Sequence, residues 1–331
     1  MTPGRTPRIF ARYAAAVLAY NIAVVLWGAY VRATGSGAGC GNHWPLCNGV
    51  VVPQAPALTT IIEFTHRASS GIDVVLVGIL LVWAWRAFPR GHLVRLGAAL
   101  SAVFLTTEAL IGAALVKLEH VAHNASAGRA YSLSGHLINT LTLLACLTLT
   151  VWWAAGGSRL RFRHRASWLA APGIVLAVLV GISGAIAALG DTLFPASSLA
   201  AGFRQDFDPA SSIFLRLRLL HPLLALITGV WLIFYAEATA FRLPGAKRFA
   251  RLLEAMVGLQ IAAGASNLLL LAPVWMQMVH LLVADLVWIS LVLLAALALQ
   301  DSSLSADMRS NELDEMAPRR GGLQRAGAKQ S

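Results

Sequence analysis

Eight long apolar runs, set apart by short polar segments, divide this sequence. They fall near residues 13–33, 64–86, 93–116, 133–154, 167–189, 214–237, 250–272 and 277–299. Each matches the roughly 20 apolar residues that an α-helix needs to cross the hydrocarbon of a bilayer. Charged residues make up 12% of the chain, against about 25% in soluble domains. The runs predict an all-α membrane protein with eight transmembrane helices embedded in a lipid bilayer.

A net charge of +11 would by itself suggest nucleic acid as a partner. The position of the charges argues otherwise. Arg5, Arg8 and Arg12 precede the first run; Arg86, Arg90 and Arg95 join the second to the third; Arg159, Arg161, Arg163 and Arg165 join the fourth to the fifth; Arg242, Lys247, Arg248 and Arg251 join the sixth to the seventh. Arg309, Arg319, Arg320, Arg325 and Lys329 follow the eighth. Basic residues in alternate connections mark the cytoplasmic side, so the expectation is a plasma-membrane protein with both termini inside and no nucleic-acid partner. No signal-peptide cleavage site follows Tyr13–Val31, which reads as a retained helix. Residues 1–12 read as a cytoplasmic N-terminus, 156–166 as a basic cytoplasmic linker and 300–331 as a disordered cytoplasmic tail. Residues 34–62, 117–132, 190–213 and 273–276 form the outer loops.

The chain is written twice, as halves 13–155 and 167–299. His66 and His221 open the second and sixth spans, and His136 and His280 the fourth and eighth. Glu108-Ala-Leu-Ile-Gly112 in span three faces Gln260-Ile-Ala-Ala-Gly264 in span seven. Trp27 to Gly35 at the end of span one matches Gly184 to Gly190 in span five. Four spans per half bring both halves in from the same side, so the repeat is parallel: two pseudo-repeated four-helix bundles.

The four histidines therefore share one depth, near the outer face. Neutral imidazole is a good axial ligand for haem iron, and two facing helices that each offer a histidine can hold a macrocycle between them. Any one of these histidines reads as well as an ordinary interfacial residue; four at equivalent places point to two haem sites, one per half. His43, His92, His120, His123 and His164 stay unassigned.

Glu63 lies three residues before His66, on the same helix face. A carboxylate there is placed to move a proton at the edge of a macrocycle, and equally suits the positive end of the helix dipole. Asp73, Glu108 and Asp285 are acids inside spans, where such groups are paired or functional; none is assigned to catalysis. Arg32, Arg67, Arg216 and Arg218 are candidates to meet haem propionates through the guanidinium fork, or lipid headgroups. Cys40 and Cys47 share the first outer loop, where a disulfide is favoured by the oxidising side; a zinc site with His43 is the rival and has only three ligands. Cys146 reads as a free core thiol.

Taken together, Gly28-Ala-Tyr-Val-Arg32, Cys40 to Cys47 with Trp44-Pro-Leu-Cys-Asn-Gly49, Glu63-Phe-Thr-His-Arg67, Gly135-His136-Leu, Leu220-His221 and Val279-His280 to Asp285 resemble the haem A synthase family, in its bacterial form with a cysteine pair in the first outer loop. The resemblance covers residues 13–299. It implies haem O as substrate between His66 and His136, haem B as cofactor between His221 and His280, and Glu63 as the catalytic carboxylate. It implies oxidation of a porphyrin methyl group to a formyl by two hydroxylations and loss of water, with haem A passing to haem-copper oxidases. Haem B would relay electrons, and the Cys40–Cys47 pair would serve redox exchange. Haem O synthase is the implied upstream partner. Glu108 departs from the glutamine expected there. The sequence leaves open the electron donor or acceptor and whether the chain forms a homo-oligomer.

Two other readings compete. A di-haem cytochrome that only transfers electrons would need the four histidines but not Glu63. A transporter of haem or another amphiphile would place broken helices and polar groups near mid-membrane, whereas the polar residues here gather at one edge.

Overall fold

A computed structural model of the chain describes residues 5–161 and 165–300. Arg163, the basic residues from Arg309 onward and the segment 301–331 read as a disordered tail lie outside the described residues. The helices are α1 (Arg5–Ala33), α2 (Leu58–Ala87), α3 (Leu93–Lys117), α4 (Ala127–Ala154), α5 (Arg165–Leu193), α6 (Leu199–Phe207), α7 (Ile213–Arg218), α8 (Leu220–Arg242), α9 (Lys247–Leu269) and α10 (Val274–Leu299). Eight spans are long and apolar enough to cross a membrane, with α7 and α8 counted as one. The protein is therefore an all-helical multi-pass membrane protein.

Several helices begin earlier than hydropathy predicts. The fourth starts at Ala127 rather than near 133, because Ser126 caps it by accepting the N–H of Arg129 at 3.3 Å. A helix can run past the apolar segment wherever a hydroxyl satisfies its first N–H groups, and hydropathy does not register that extension. The sixth span is broken at Leu219, between α7 and α8, and the loop before it carries the amphipathic α6, capped by Ser198.

The surface shows the inversion expected in lipid. Along α2, Ile72, Val75, Ile79 and Val82 are exposed at helical spacing, while Asp73, Val77, Leu80 and Ala84 face inward. Lipid tails match these exposed aliphatics, so their exposure costs nothing in a membrane.

In the first half α1 packs on α2, α2 on α3, α3 on α4, and α4 returns to α1. In the second, α5, α8, α9 and α10 close a ring in the same order. One apolar core gathers Phe10, Leu80, Leu143 and Leu147; the other gathers Leu232, Tyr235, Leu253 and Leu291. The halves meet where α1 and α4 face α5 and α10. Leu141 and Leu144 of α4 belong to the second core, and the Trp288 indole donates to Leu141 O at 2.7 Å across the seam. Successive spans cross in alternate directions, so His66, His136, His221 and His280, which open or lie early in α2, α4, α8 and α10, lie toward one end of the bundle. We call it the histidine end.

Candidate functional site

Each of the four histidines lies against a glycine of the preceding span. A Cβ at Gly28 would stand 2.9 Å from His66 Cε1, and one at Gly184 the same distance from His221 Cε1. At Gly264 it would stand 3.1 Å from His280 Cε1, and at Gly112 it would stand 4.0 Å from His136 Nε2. The first three distances are below ordinary van der Waals contact, so the missing side chain is what lets the imidazole lie against its neighbouring helix.

The two histidines of the second expected pair face one another. The His221 and His280 ring centroids are 6.2 Å apart with planes at 88°. His66 lies against Gly28 of α1 and His136 against Gly112 of α3. The ring nitrogens have different surroundings. His221 Nδ1 is 3.1 Å from the Ser183 hydroxyl, His280 Nε2 is 3.3 Å from the Gln260 amide nitrogen, and His136 Nδ1 is 3.1 Å from Glu108 Oε1. The Nδ1 atoms of His66, His136 and His280 are buried with no hydrogen-bond partner among the described residues, Glu108 standing beside His136 as a close charge.

Glu63 is buried and sits between α2 and the first long loop. Its Oε2 accepts the backbone N–H of Cys40 at 2.8 Å. Its Oε1 accepts Arg67 Nε at 3.1 Å and Nη2 at 2.5 Å. Arg67 Nη1 donates onward to His43 O at 2.6 Å and Leu46 O at 2.8 Å. Cys40 and Cys47 form a disulfide, which removes both thiolates from any zinc site. Among the described residues no three or more histidines, cysteines and acids gather to hold a metal ion by themselves. The loop is pinned again where Thr60 Oγ1 donates to Gly39 O at 2.7 Å; a Cβ at Gly39 would meet the Thr59 backbone. Cys146 is a free, buried thiol.

The other candidates are placed as follows. Arg32 of α1 crosses the seam: Nη1 donates to Ala188 O at 2.9 Å and Thr192 Oγ1 at 3.1 Å, and Nη2 to Gln277 Oε1 at 2.9 Å. Arg218 is held by two acids, Asp191 and Asp206, each at 2.6 Å. Arg216 is exposed and makes no side-chain hydrogen bond among the described residues. Asn21 donates to Asp73 at 2.5 Å, tying α1 to α2. Asp285 is buried with one oxygen unpartnered. Arg129 was not anticipated by sequence reasoning. It is 2% exposed and donates to Ala122 O at 2.5 Å and Asn124 O at 2.9 Å, fixing the α3–α4 loop. Bonds to backbone carbonyls leave no residue pattern that could have announced it.

The second pair fits a haem iron. With metal–imidazole bonds of about 2 Å, two rings facing one iron have centroids about 6 Å apart, which the second pair matches. The Ser183 contact occupies His221 Nδ1 and leaves Nε2 for a metal, as is usual when the other nitrogen of a ligating imidazole is hydrogen-bonded.

A family model described as cytochrome oxidase assembly protein (COX15-CtaA) matches residues 11–292. Two proteins from strains of Thermus thermophilus, both named protoheme IX farnesyltransferase, are 48% and 47% identical over 294 residues. That stretch is 88% of this chain and 48% of each of theirs. A heme A synthase of Geobacillus kaustophilus is 45% identical over 104 residues, 31% of this chain and 33% of its own. One of Bacillus mycoides is 44% identical over 108 residues, 32% of this chain and 35% of its own. The chain thus spans about half the length of the first of these relatives.

Proposed function

The chain belongs to the cytochrome oxidase assembly family whose model spans most of it, and from that membership we propose that it is a haem A synthase, oxidising a methyl group of haem O to the formyl of haem A. The observation that carries this reading is the His221–His280 pair, its rings facing at 6.2 Å in the second half, together with a buried carboxylic acid, Glu63, one turn from His66 in the first. The likeness to heme A synthases supports it.

In this reading haem O lies between His66 and His136 of the first bundle, and haem B between His221 and His280 of the second. The two bundles are parallel pseudo-repeats, with the basic connections in the cytoplasm, the termini inside and the histidine end at the outer face of the plasma membrane. Bound haem supplies redox-active iron. Glu63 moves the proton at the methyl being oxidised, its carboxylate held in one orientation by Arg67 and the Cys40 N–H. Arg216, exposed near the histidine end, meets a propionate directly, whereas Arg32, Arg67 and Arg218 reach one only by exchanging a bond they already make. Haem O synthase is the partner that delivers substrate. That two relatives twice as long carry the name protoheme IX farnesyltransferase supports such a partnership.

The test is to extract and identify the haems from purified protein made in cells that supply haem O, for wild type and Glu63→Gln. Haem B with haem A in the wild type, and haem B with haem O or a hydroxylated intermediate in the variant, is the expected result. Haem B alone in both, at two per chain, would instead make the protein an electron-carrying di-haem cytochrome, a reading favoured by the engagement of both Glu63 oxygens in holding the loop.

A further inference from the structure

Glu108 is the acid that the proposed reaction leaves unused. Its carboxylate is fixed by α4 alone. Oε1 lies 3.1 Å from His136 Nδ1 and accepts the Thr140 hydroxyl, and Oε2 accepts Asn139 Nδ2 at 2.6 Å. Asn139 is itself held by Phe104 O at 2.9 Å and the Thr107 hydroxyl at 2.6 Å. Among the described residues no lysine or arginine bonds Glu108, so its charge is directed at the imidazole. The matching place in the second half is neutral: Gln260 precedes Gly264 by four residues, as Glu108 precedes Gly112, and its amide nitrogen lies 3.3 Å from His280 Nε2, the other ring nitrogen from the one Glu108 approaches on His136. His221 meets only the Ser183 hydroxyl. Of the four paired histidines, His136 alone has a carboxylate on its ring among the described residues.

A carboxylate against the non-ligating nitrogen pushes electron density onto the imidazole and strengthens it as a donor. A stronger donor favours ferric over ferrous iron and so lowers the haem potential. An amide or hydroxyl at that nitrogen has a much weaker effect. We propose that Glu108 is a positioning residue that sets the first-half iron at a lower reduction potential than the second-half iron, through His136. The inference rests on the reading that His136 ligates a haem, and needs no change of protonation. It gives the two sites a built-in direction: electrons released at the first are drawn to the second.

The experiment is a spectroscopic redox titration of the purified, haem-loaded full chain, comparing wild type, Glu108→Gln and the reciprocal Gln260→Glu. Glu108→Gln installs the residue type that the second half already tolerates. The expected result is two waves in the wild type. Glu108→Gln shifts the lower wave upward, with a changed low-spin ferric spectrum for that haem, and leaves the other in place; Gln260→Glu shifts the upper wave downward. Unchanged potentials in both variants with both haems retained would overturn the inference while sparing the haem sites. Should Glu108→Gln fail to retain its haem, Glu108→Asp, which draws the carboxylate back from His136 by one methylene, decides: a raised lower wave supports the inference and an unmoved one overturns it. His136→Ala separates the two levels. If it removes no haem, His136 is no ligand, and both the inference and the first-half site fall.

Discussion

Glu63 accepts the backbone N–H of Cys40 at 2.8 Å, so the buried acid and the disulfide loop form one unit. Closing a ring this short removes about 2–3 kcal/mol of unfolded-chain entropy. Replacing both cysteines, Cys40→Ser with Cys47→Ser, is expected to free the loop from α2. Limited proteolysis should then cut between residues 41 and 57, and conversion of haem O should fall further than haem content does. Wild-type protease resistance in the double variant would show that the loop is held without the disulfide.

Arg67 links the same unit by a forked contact with Glu63 and two loop carbonyls. Removing one member of a buried ion pair strands the other and costs about 3 kcal/mol. Arg67→Gln is therefore expected to lower the melting temperature, and Arg67→Lys to recover little, because an ammonium cannot make the fork. Full recovery by lysine would mean that charge alone matters at this position.

Gly28 and Gly184 offer a half-specific test of the haem sites. A methyl at either stands 2.9 Å from an imidazole carbon, and relieving such overpacking costs about 1–3 kcal/mol. Gly28→Ala is expected to displace His66 and deplete the first-half haem only, and Gly184→Ala to displace His221 and deplete the second. Gly71→Ala, with open space around its Cβ, is the control. Equal loss of both haems in each variant would argue against independent sites.

Arg32 crosses from the first half to Ala188, Thr192 and Gln277 of the second. Hydrogen bonds from a charged donor contribute about 1.5–3 kcal/mol, so Arg32→Met should weaken the seam and lower thermal stability with both haems still bound. Selective loss of one haem, with stability unchanged, would instead assign Arg32 to a propionate.

The eight spans were legible because an apolar run of membrane length has one physical outcome. The four histidines were legible because their spacing repeats, and the glycines of the matched stretches are the ones their rings rest on. Helix ends were less so: Ser126 extends α4 through a cap that hydropathy does not register, and α6 is amphipathic and short enough to read as loop. The arginines show the deeper limit. Arg218 reads from sequence as a candidate to meet a propionate or a headgroup, but Asp191 and Asp206 reach it from other elements, and only folding brings them together. Glu108 and His136 are 28 residues apart on different helices, so their contact at 3.1 Å was equally hidden.

The measurement that bears most directly on the account is haem stoichiometry in the purified full chain after replacing each paired histidine with alanine. The account predicts two haems per chain in the wild type. His66→Ala and His136→Ala should weaken or empty the same single site, and His221→Ala and His280→Ala the other. Loss of one and the same haem in all four variants, or a wild type that carries no haem, would contradict it.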